Sequence, residues 1–408
     1  MGVSMQENSK IKYTVIFNAT NIGKRLNGIG IYSLNLLKYF SKLQTHIQFK
    51  VYVNRNCRPH LRDINFPENI TLHWVSPRLS PDYKFSGHLL RLLYSNLLSL
   101  KYRHHLIFNT SQLEISFFAS RQIITIHDII PLLFKKYHKK QYYFFKYFLS
   151  GALKRVQAVI TPSQHSKALI LKYYRLEADK VQVVPCGVRE VEEVNHPSSL
   201  SEKEKIILYA GRISPTKNIS GLVKAFELIK DKIAHQLVIA GESRDFLEKE
   251  IKSGHLSRSS LQEDRISVTG YLDDQKLQQL MRRAEVFVYP SLYEGFGFPP
   301  LEAMRCGCPV IVSSSSSLPE VCGEAAYYVK PNNPQEIAAA LSHVLTNRDL
   351  REQMIQQGFS QVQNYRWDIS TARHLKLFEK MMGAKPVTTR PAQLPQVLLE
   401  SIHPSPSF

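Results

Sequence analysis

Two carboxylates, Glu294 and Glu302, stand eight residues apart in the run EGFGFPPLEAM and bracket a Gly295-Phe296-Gly297 turn. Glycine has no side chain to keep a ligand off the backbone. Pro299 and Pro300 behind the turn suit the first turn of a helix, where a missing N–H costs nothing. Gly307 and Pro309 then end that helix, and Val310–Val312 follows as a short apolar strand. A strand, a glycine turn and an open helix start make a site for an anion, most often a phosphate. A bare phosphate would not want two acids beside it, whereas sugar hydroxyls would, so the ligand is expected to carry both phosphate and sugar. A second constellation, GRISPTKN, places Arg212 and Lys217 five residues apart after the apolar strand IILYA. A guanidinium fork and an ammonium at a helix start suit a diphosphate leaving group, which gains charge as its bond breaks; by residue type alone they also read as ordinary exposed loop cations. A third polar pair, His127-Asp128, interrupts RQIITIHDIIPLL where a strand should leave a parallel sheet, the end at which such sheets bind ligands. By residue type alone, a structural histidine held by its neighbouring aspartate reads equally well.

The elements that must position these groups alternate strand and helix. KYTVIFNA (12–19) reads as a buried strand, followed by a glycine pair, Gly28-x-Gly30, and a helical run from Ile31. The full dinucleotide fingerprint is missing: Ser33 stands where a third glycine would be, and no acid follows about 20 residues on. That argues against a nicotinamide oxidoreductase. Further strands are expected at 47–53, 70–75, within 121–133, within 158–164 before a helix, within 181–188 before a turn, and at 206–210, 236–240, 265–269 and 285–290. Ser163 reads as a helix cap, Asp273 and Asp274 as the cap of the following helix, and 334–360 as helical. His88 to His105 is strongly amphipathic with a basic end. Its leucines are expected to pack into the core; the sharper alternative is a helix on a lipid surface with Arg91, Lys101 and Arg103 facing head groups.

With 408 residues, 43% hydrophobic and 21% charged, the chain is long enough for two full domains. The net charge of +19 lies entirely in the first half: residues 1–180 hold 27 Lys+Arg against 8 Asp+Glu, and 181–408 hold 26 against 26. The first domain is therefore expected to meet something anionic. The segment 134–148, FKKYHKKQYYFFKYF, mixes lysines with aromatics, which suits an anionic membrane interface, single-stranded nucleic acid or only the solvated face of a core helix. Five cysteines, an odd number without scaffold spacing, fit a reduced cytosolic setting, and Cys306-Gly307-Cys308 lacks the further ligands of a structural metal site. The polar start MGVSMQENSK is not expected to be a signal peptide or a myristoylation signal, and no run reaches the length of a membrane span.

Taken together, the E-x7-E run, GRISPTKN, TIHDIIPL and the strand-and-turn VQVVPCGV resemble the retaining nucleotide-sugar glycosyltransferases of family 4. The resemblance spans roughly residues 12–382. It implies an α/β fold of the GT-B type, two Rossmann-like domains facing across a cleft. Residues 1–190 would be the acceptor-binding domain, 191–204 a linker, and 205–382 the nucleotide-sugar domain, its last helix crossing back. Residues 383–408, with five prolines, are expected to be a disordered tail. By the same resemblance Arg212 and Lys217 hold the donor diphosphate and Glu302 binds the ribose. Glu294 and the backbone of Gly295, Phe296 and Gly297 position the sugar. His127 and Asp128 face the sugar, Gly30 lets the N-terminal loop approach the phosphates, and the nucleobase lies near Gly270-Tyr271. Cys186 stands where the family usually has a polar residue. No cofactor and no metal are implied; the donor is a nucleoside-diphosphate sugar, GDP-mannose before a UDP-hexose. The acceptor is expected to be a saccharide, lipid-linked or otherwise held at an anionic membrane surface, with the enzyme cytoplasmic and peripheral at the inner face. Nucleic acid is not an expected partner.

Overall fold

The computed structural model describes residues 13–189, 203–241, 248, 250–252 and 265–383. Expectations for the N-terminal segment, for 191–202 of the linker and for the tail from 384 lie outside the described residues. The chain divides into two compact units, residues 1–122 with 371–408, and residues 123–370.

In the first unit β1 (Tyr13–Asn18), α1 (Gly28–Phe40), β2 (Ile47–Asn54), β3 (Ile70–Val75), α2 (Lys84–Lys101) and β4 (Leu106–Asn109) follow in order. The strands lie side by side as β3-β2-β1-β4, all parallel. Val15, Ile16 and Phe17 are buried in succession, as expected of a strand covered on both faces. Strand β4 has only four residues and was not expected; it hides behind the basic end of α2. The core is aromatic: Phe40 stacks on Phe49 with centroids 4.8 Å apart, and Phe108 meets Phe378 at 5.0 Å. Phe378 belongs to the last helix, Trp367–Met382, where His374 also holds the Tyr32 hydroxyl at 2.7 Å.

The glycine pair forms the first turn of α1, capped by the Asn27 side chain, which accepts the Gly30 N–H at 2.8 Å. A Cβ on Gly30 would meet only ordinary contacts at 3.5 Å and beyond, so the fold does not demand glycine there. Helix α2 is turned the opposite way from expectation. Leu89, Leu90, Leu93, Leu97 and Leu100 are exposed, while Arg91, Ser95 and Ser99 face inward with Leu98. The cause is Glu114, a buried carboxylate that must be paired. Arg91 Nε donates to it at 2.9 Å, and Ser95 donates to its backbone carbonyl. Arg91 therefore faces away from any membrane.

The second unit holds β5 (Gln122–Thr125), β6 (Ala158–Thr161), α3 (Gln164–Tyr174) and β7 (Val181–Val183), paired β5-β6-β7 in parallel. It then adds β8 (Glu204–Ala210), α4 (Ile219–Glu227), β9 (Gln236–Ala240), β10 (Ile266–Gly270), α5 (Asp274–Arg283) and β11 (Ala284–Tyr289). After these come α6 (Phe298–Arg305), β12 (Val310–Ser313), α7 (Leu318–Cys322) and β13 (Ala326–Val329). These strands form a parallel sheet ordered β10-β9-β8-β11-β12-β13. Both sheets are Rossmann-like. The helix expected over 334–360 breaks at Asn347, whose side chain caps a new helix by accepting the Leu350 N–H at 3.0 Å.

Residues 123–189 are grouped with the second unit. Val188 N–H donates to the Tyr365 carbonyl at 2.7 Å, and Gly187 lies so close to Trp367 that a Cβ would meet it at 2.4 Å. All five cysteines are buried free thiols. Among the described residues no helix is long and apolar enough to cross a membrane.

Candidate active site

In the second sheet the strand order reverses between β8 and β11, and their following loops open a crevice at the carboxyl ends of the strands. The β8 loop carries Arg212 and Lys217; the β11 loop carries Glu294. Gly211 at φ 146° starts the first loop, and Asn218 at φ 55° ends it in the left-handed region. The Asn218 side chain donates to the Pro290 carbonyl at 3.2 Å and to that of Pro331 at 2.6 Å. Leu292 N–H and Ser291 Oγ both donate to the Thr216 carbonyl, at 2.8 and 2.9 Å. The two loops are therefore one laced unit.

Lys217 Nζ meets Glu294 Oε1 at 2.5 Å and lies 5.7 Å from the Tyr289 ring centroid. Both partners are mostly buried. Tyr209 and Tyr289 stack beneath them at 5.6 Å. Burial first, and then the Glu294 charge, push both phenols well above their ordinary range. Arg212 stands exposed on the rim, and its carbonyl accepts from the Tyr209 hydroxyl at 3.1 Å.

The β11 loop is held by serines that the sequence reading missed. Glu294 N–H donates to Ser316 Oγ at 2.9 Å, and Ser317 Oγ donates to the Glu294 and Phe296 carbonyls at 3.1 and 2.6 Å. Ser163 and Ser166 donate to the Gly295 carbonyl at 2.8 and 3.1 Å. The signal was present as the run Ser313–Ser317 after β12, polar where a parallel strand should stay apolar. Glu320 on α7 accepts the first N–H groups of α3, from Gln164 at 2.8 Å and His165 at 3.1 Å, where an acid meets the positive end of the helix.

Gly295 abuts the other polar pair. A Cβ there would meet the His127 carbonyl at 2.3 Å and Asp128 Cβ at 2.8 Å. Asp128 Oδ1 accepts the Ile130 N–H at 2.8 Å, and burial pushes its carboxyl above the ordinary range. The Ile130 bond and Lys217 pull it down, and Glu294 pushes it up. His127, Asp128, Lys217, Glu294 and Gly295 are thus brought together. Gly297 at φ 128° starts α6 and leaves no room for a Cβ against Leu318. The Phe296 side chain is spent on packing against Phe298 and Tyr365, at 5.2 and 5.5 Å, so only its backbone is offered to a ligand. Gly30 belongs to the first unit.

Glu302, on α6, forms a second cluster. Arg189 Nε lies 4.0 Å from its Oε1, and Arg189 also pairs with Asp274. Burial raises the Glu302 carboxyl, Arg189 lowers it and Asp274 raises it. These three residues line a crevice with Leu277, Gln278, Met281 and Cys306. Asp273 does cap α5, accepting the Lys276 N–H at 2.9 Å, while Asp274 is taken by Arg189. Arg189 was also missed, standing as it does at the edge of an expected linker. Gly270 at φ 77° and the exposed Tyr271 lie at the end of β10. Chemically, each cluster offers a cation beside an acid, suited to a ligand that carries both phosphate and hydroxyl groups.

Comparison with known proteins agrees. A model described as glycosyl transferases group 1 matches residues 191–361, and one described as glycosyltransferase family 4 matches residues 26–191. The O-antigen chain mannosyltransferase B of Escherichia coli is 30% identical over 274 residues, covering 64% of this chain and 70% of that protein. The O-antigen chain mannosyltransferase RfbU of Salmonella typhimurium is 27% identical, with 81% and 90% covered. The serotype-specific mannosyltransferase WbdA of Escherichia coli is 28% identical, and the chain spans only 34% of its length. Among solved structures, the sucrose-phosphate synthase of Thermosynechococcus elongatus superposes with a TM-score of 0.69 at 20% identity, covering 92% of this chain and all of that one. HepE of Anabaena in complex with UDP-glucose gives 0.66 at 18% identity, covering 90% and 100%.

Proposed function

We propose a function from the premise that the chain belongs to the glycosyltransferases of the GT-B fold, the family of its domain models and its 30%-identical bacterial relative. It moves a hexose, mannose, from a nucleoside-diphosphate sugar, GDP-mannose, to a saccharide acceptor in cell-surface polysaccharide synthesis. The observation that carries this is the Lys217–Glu294 contact at 2.5 Å, next to Gly295, which abuts the His127 carbonyl and Asp128 Cβ. A cation and an acid in contact suit a ligand in which phosphate and sugar hydroxyls are neighbours. Lys217 and Arg212 take the diphosphate. Glu294 and the Gly295–Gly297 backbone hold the sugar hydroxyls, and Glu302 binds the ribose diol. His127 and Asp128 close the opposite wall.

In the reaction the bond from the sugar C1 to the β-phosphate oxygen breaks with both electrons on the oxygen. The acceptor hydroxyl oxygen bonds to C1 on the same face, and its proton passes to the departing phosphate. Anomeric configuration is retained. Arg212 and Lys217 stabilise the growing phosphate charge, which is the task a metal performs elsewhere, and turnover is expected to survive EDTA.

The acceptor is read as lipid-linked and the enzyme as a peripheral protein at the cytoplasmic face of a membrane. The segment 134–148 supports this: Tyr137, Tyr143, Tyr147 and Phe148 are exposed, and Lys135 Nζ lies 4.7 Å over the Tyr142 ring. A melting-temperature screen with GDP, UDP, NAD and a single-stranded oligonucleotide tests the reading, followed by nucleotide release from GDP-mannose and from UDP-hexoses. A nucleoside diphosphate alone is expected to stabilise, and GDP-mannose to be turned over. Stabilisation by NAD or the oligonucleotide instead would refute the assignment.

A further inference from the structure

Helix α2 presents to the outside a surface made of leucine. From Leu89 to Leu100 the exposed residues are Leu89, Leu90, Leu93, Leu97 and Leu100, between 39% and 65% exposed. Their spacing of one, three, four and three residues keeps them on one side of the helix. The opposite side is fixed by polar contacts. Arg91 is paired to Glu114, Ser99 and Ser116 share a hydrogen bond at 2.6 Å, and Asn96 Oδ1 accepts the Phe117 N–H at 2.9 Å. That last bond ties the next loop beside the ridge and leaves Phe118 67% exposed. The helix cannot roll to hide its leucines without stranding Arg91 and Glu114. Aqueous monomers rarely show such a patch, which marks a contact with protein or lipid.

The charge around the ridge selects between them. Between Asp82 and Asp128 the sequence holds one acid, Glu114, which is buried. The C-terminal end of α2 carries Lys101, Arg103 and His104, all exposed, and Lys50 lies 5.7 Å from the Tyr102 ring centroid. A second copy of this surface would bring a leucine ridge but no acid to meet these cations. An anionic bilayer brings both a place for the leucines and negative head groups for the basic end.

We propose that α2 is the element by which this protein docks on an anionic lipid surface, with the leucine ridge seated among the acyl chains and the basic end at the head groups. This rests on the reading of a membrane-held acceptor only for its purpose; the surface stands on its own geometry. It also differs from the sequence expectation, since Arg91 takes no part.

The test is co-sedimentation of the full chain with phosphatidylcholine vesicles and with vesicles containing phosphatidylglycerol. The variant Leu93→Ser/Leu97→Ser/Leu100→Ser is compared with wild type, with circular dichroism to establish that it is folded. Wild type is expected on the anionic vesicles only, and the folded variant to bind at least about tenfold more weakly. Equal binding of the two overturns the proposal. So does wild type running as a dimer and the variant as a monomer with neither on vesicles. A variant that does not fold is replaced by Leu93→Gln alone, read the same way at a smaller expected loss of about threefold. Nucleotide release from the donor, measured in parallel without lipid, separates the two readings. Vesicle binding without donor turnover sinks the enzyme assignment and leaves the docking surface; turnover without vesicle binding does the reverse.

Discussion

Arg91 meets Glu114 in the first unit at 2.9 Å, and Lys217 meets Glu294 in the second at 2.5 Å. Both pairs are shielded from water, yet their surroundings differ. Arg91 also donates to the Leu79 carbonyl at 3.0 Å, and Asn21 donates to the second oxygen of Glu114 at 3.4 Å. Each charge is satisfied by fixed neighbours, a guanidinium fork that is always charged. Lys217 instead offers a flexible ammonium to one carboxylate oxygen and an aromatic face, with Asp128 near enough to feel both charges. The lesson is that burial and pairing do not distinguish a strut from a site. What distinguishes them is whether the partners are locked, and whether the pair lies where strand order opens a sheet.

The comparison can be broken by removing one side of each pair. Glu294→Ala is expected to lower kcat by about 10³-fold or more with the melting temperature little changed, and Arg212→Ala to do nearly as much. Near-normal turnover in either variant would turn the second pair into another strut. Arg91→Ala should do the opposite. It leaves Glu114 buried without its guanidinium and is expected to cost about 3–5 kcal/mol in denaturant unfolding. The specific activity of the fraction still folded should be unchanged; a selective loss of kcat would place Arg91 in the machinery. Gly295→Ala sharpens the contrast at smaller scale. Its methyl must push the His127 carbonyl away, so a loss of about 1–3 kcal/mol in stability is expected together with a fall in kcat. An intact kcat would detach His127 from the site.

The smallest effect concerns pH. Burial raises the Asp128 carboxyl in the folded state, so the stability it contributes is fully present below the ordinary carboxylate range and is lost as pH rises through the raised value. Lys217, Glu294 and His138 are the charges facing it. Asp128→Asn keeps an acceptor for the Ile130 N–H and cannot ionise. Relative to wild type it should therefore gain melting temperature as pH rises above the ordinary carboxylate range, while losing activity. A relative loss there would mean that Lys217 dominates the aspartate in solution.

Much of the second unit was legible because its signals are local. Gly211, Asn218, Gly297 and the proline pair of α6 mark turns whose backbone only a few residues accept, and the chemistry hangs on those turns. The first unit was read less well. The leucine stripe of α2 has a period that specifies a helix but not a direction, and the direction was set by Glu114, which lies beyond the end of the helix. The Asn27 cap on the Gly30 N–H was not read in advance, because that bond exists only once the first turn of α1 has formed. Serines 316 and 317 and Arg189 were passed over because their role exists only once the loops they hold are folded against them.

Arg189 has one more consequence. Its guanidinium rests on the acid proposed to bind the ribose and on Asp274, so the crevice is not a bare pair of negative charges. A nucleotide bound there as proposed would have an occupant to evict. Its affinity would then be a difference between two ligands, one of them tethered to the protein, and weakening the tethered one would be a route to a tighter nucleotide without touching any group that contacts it.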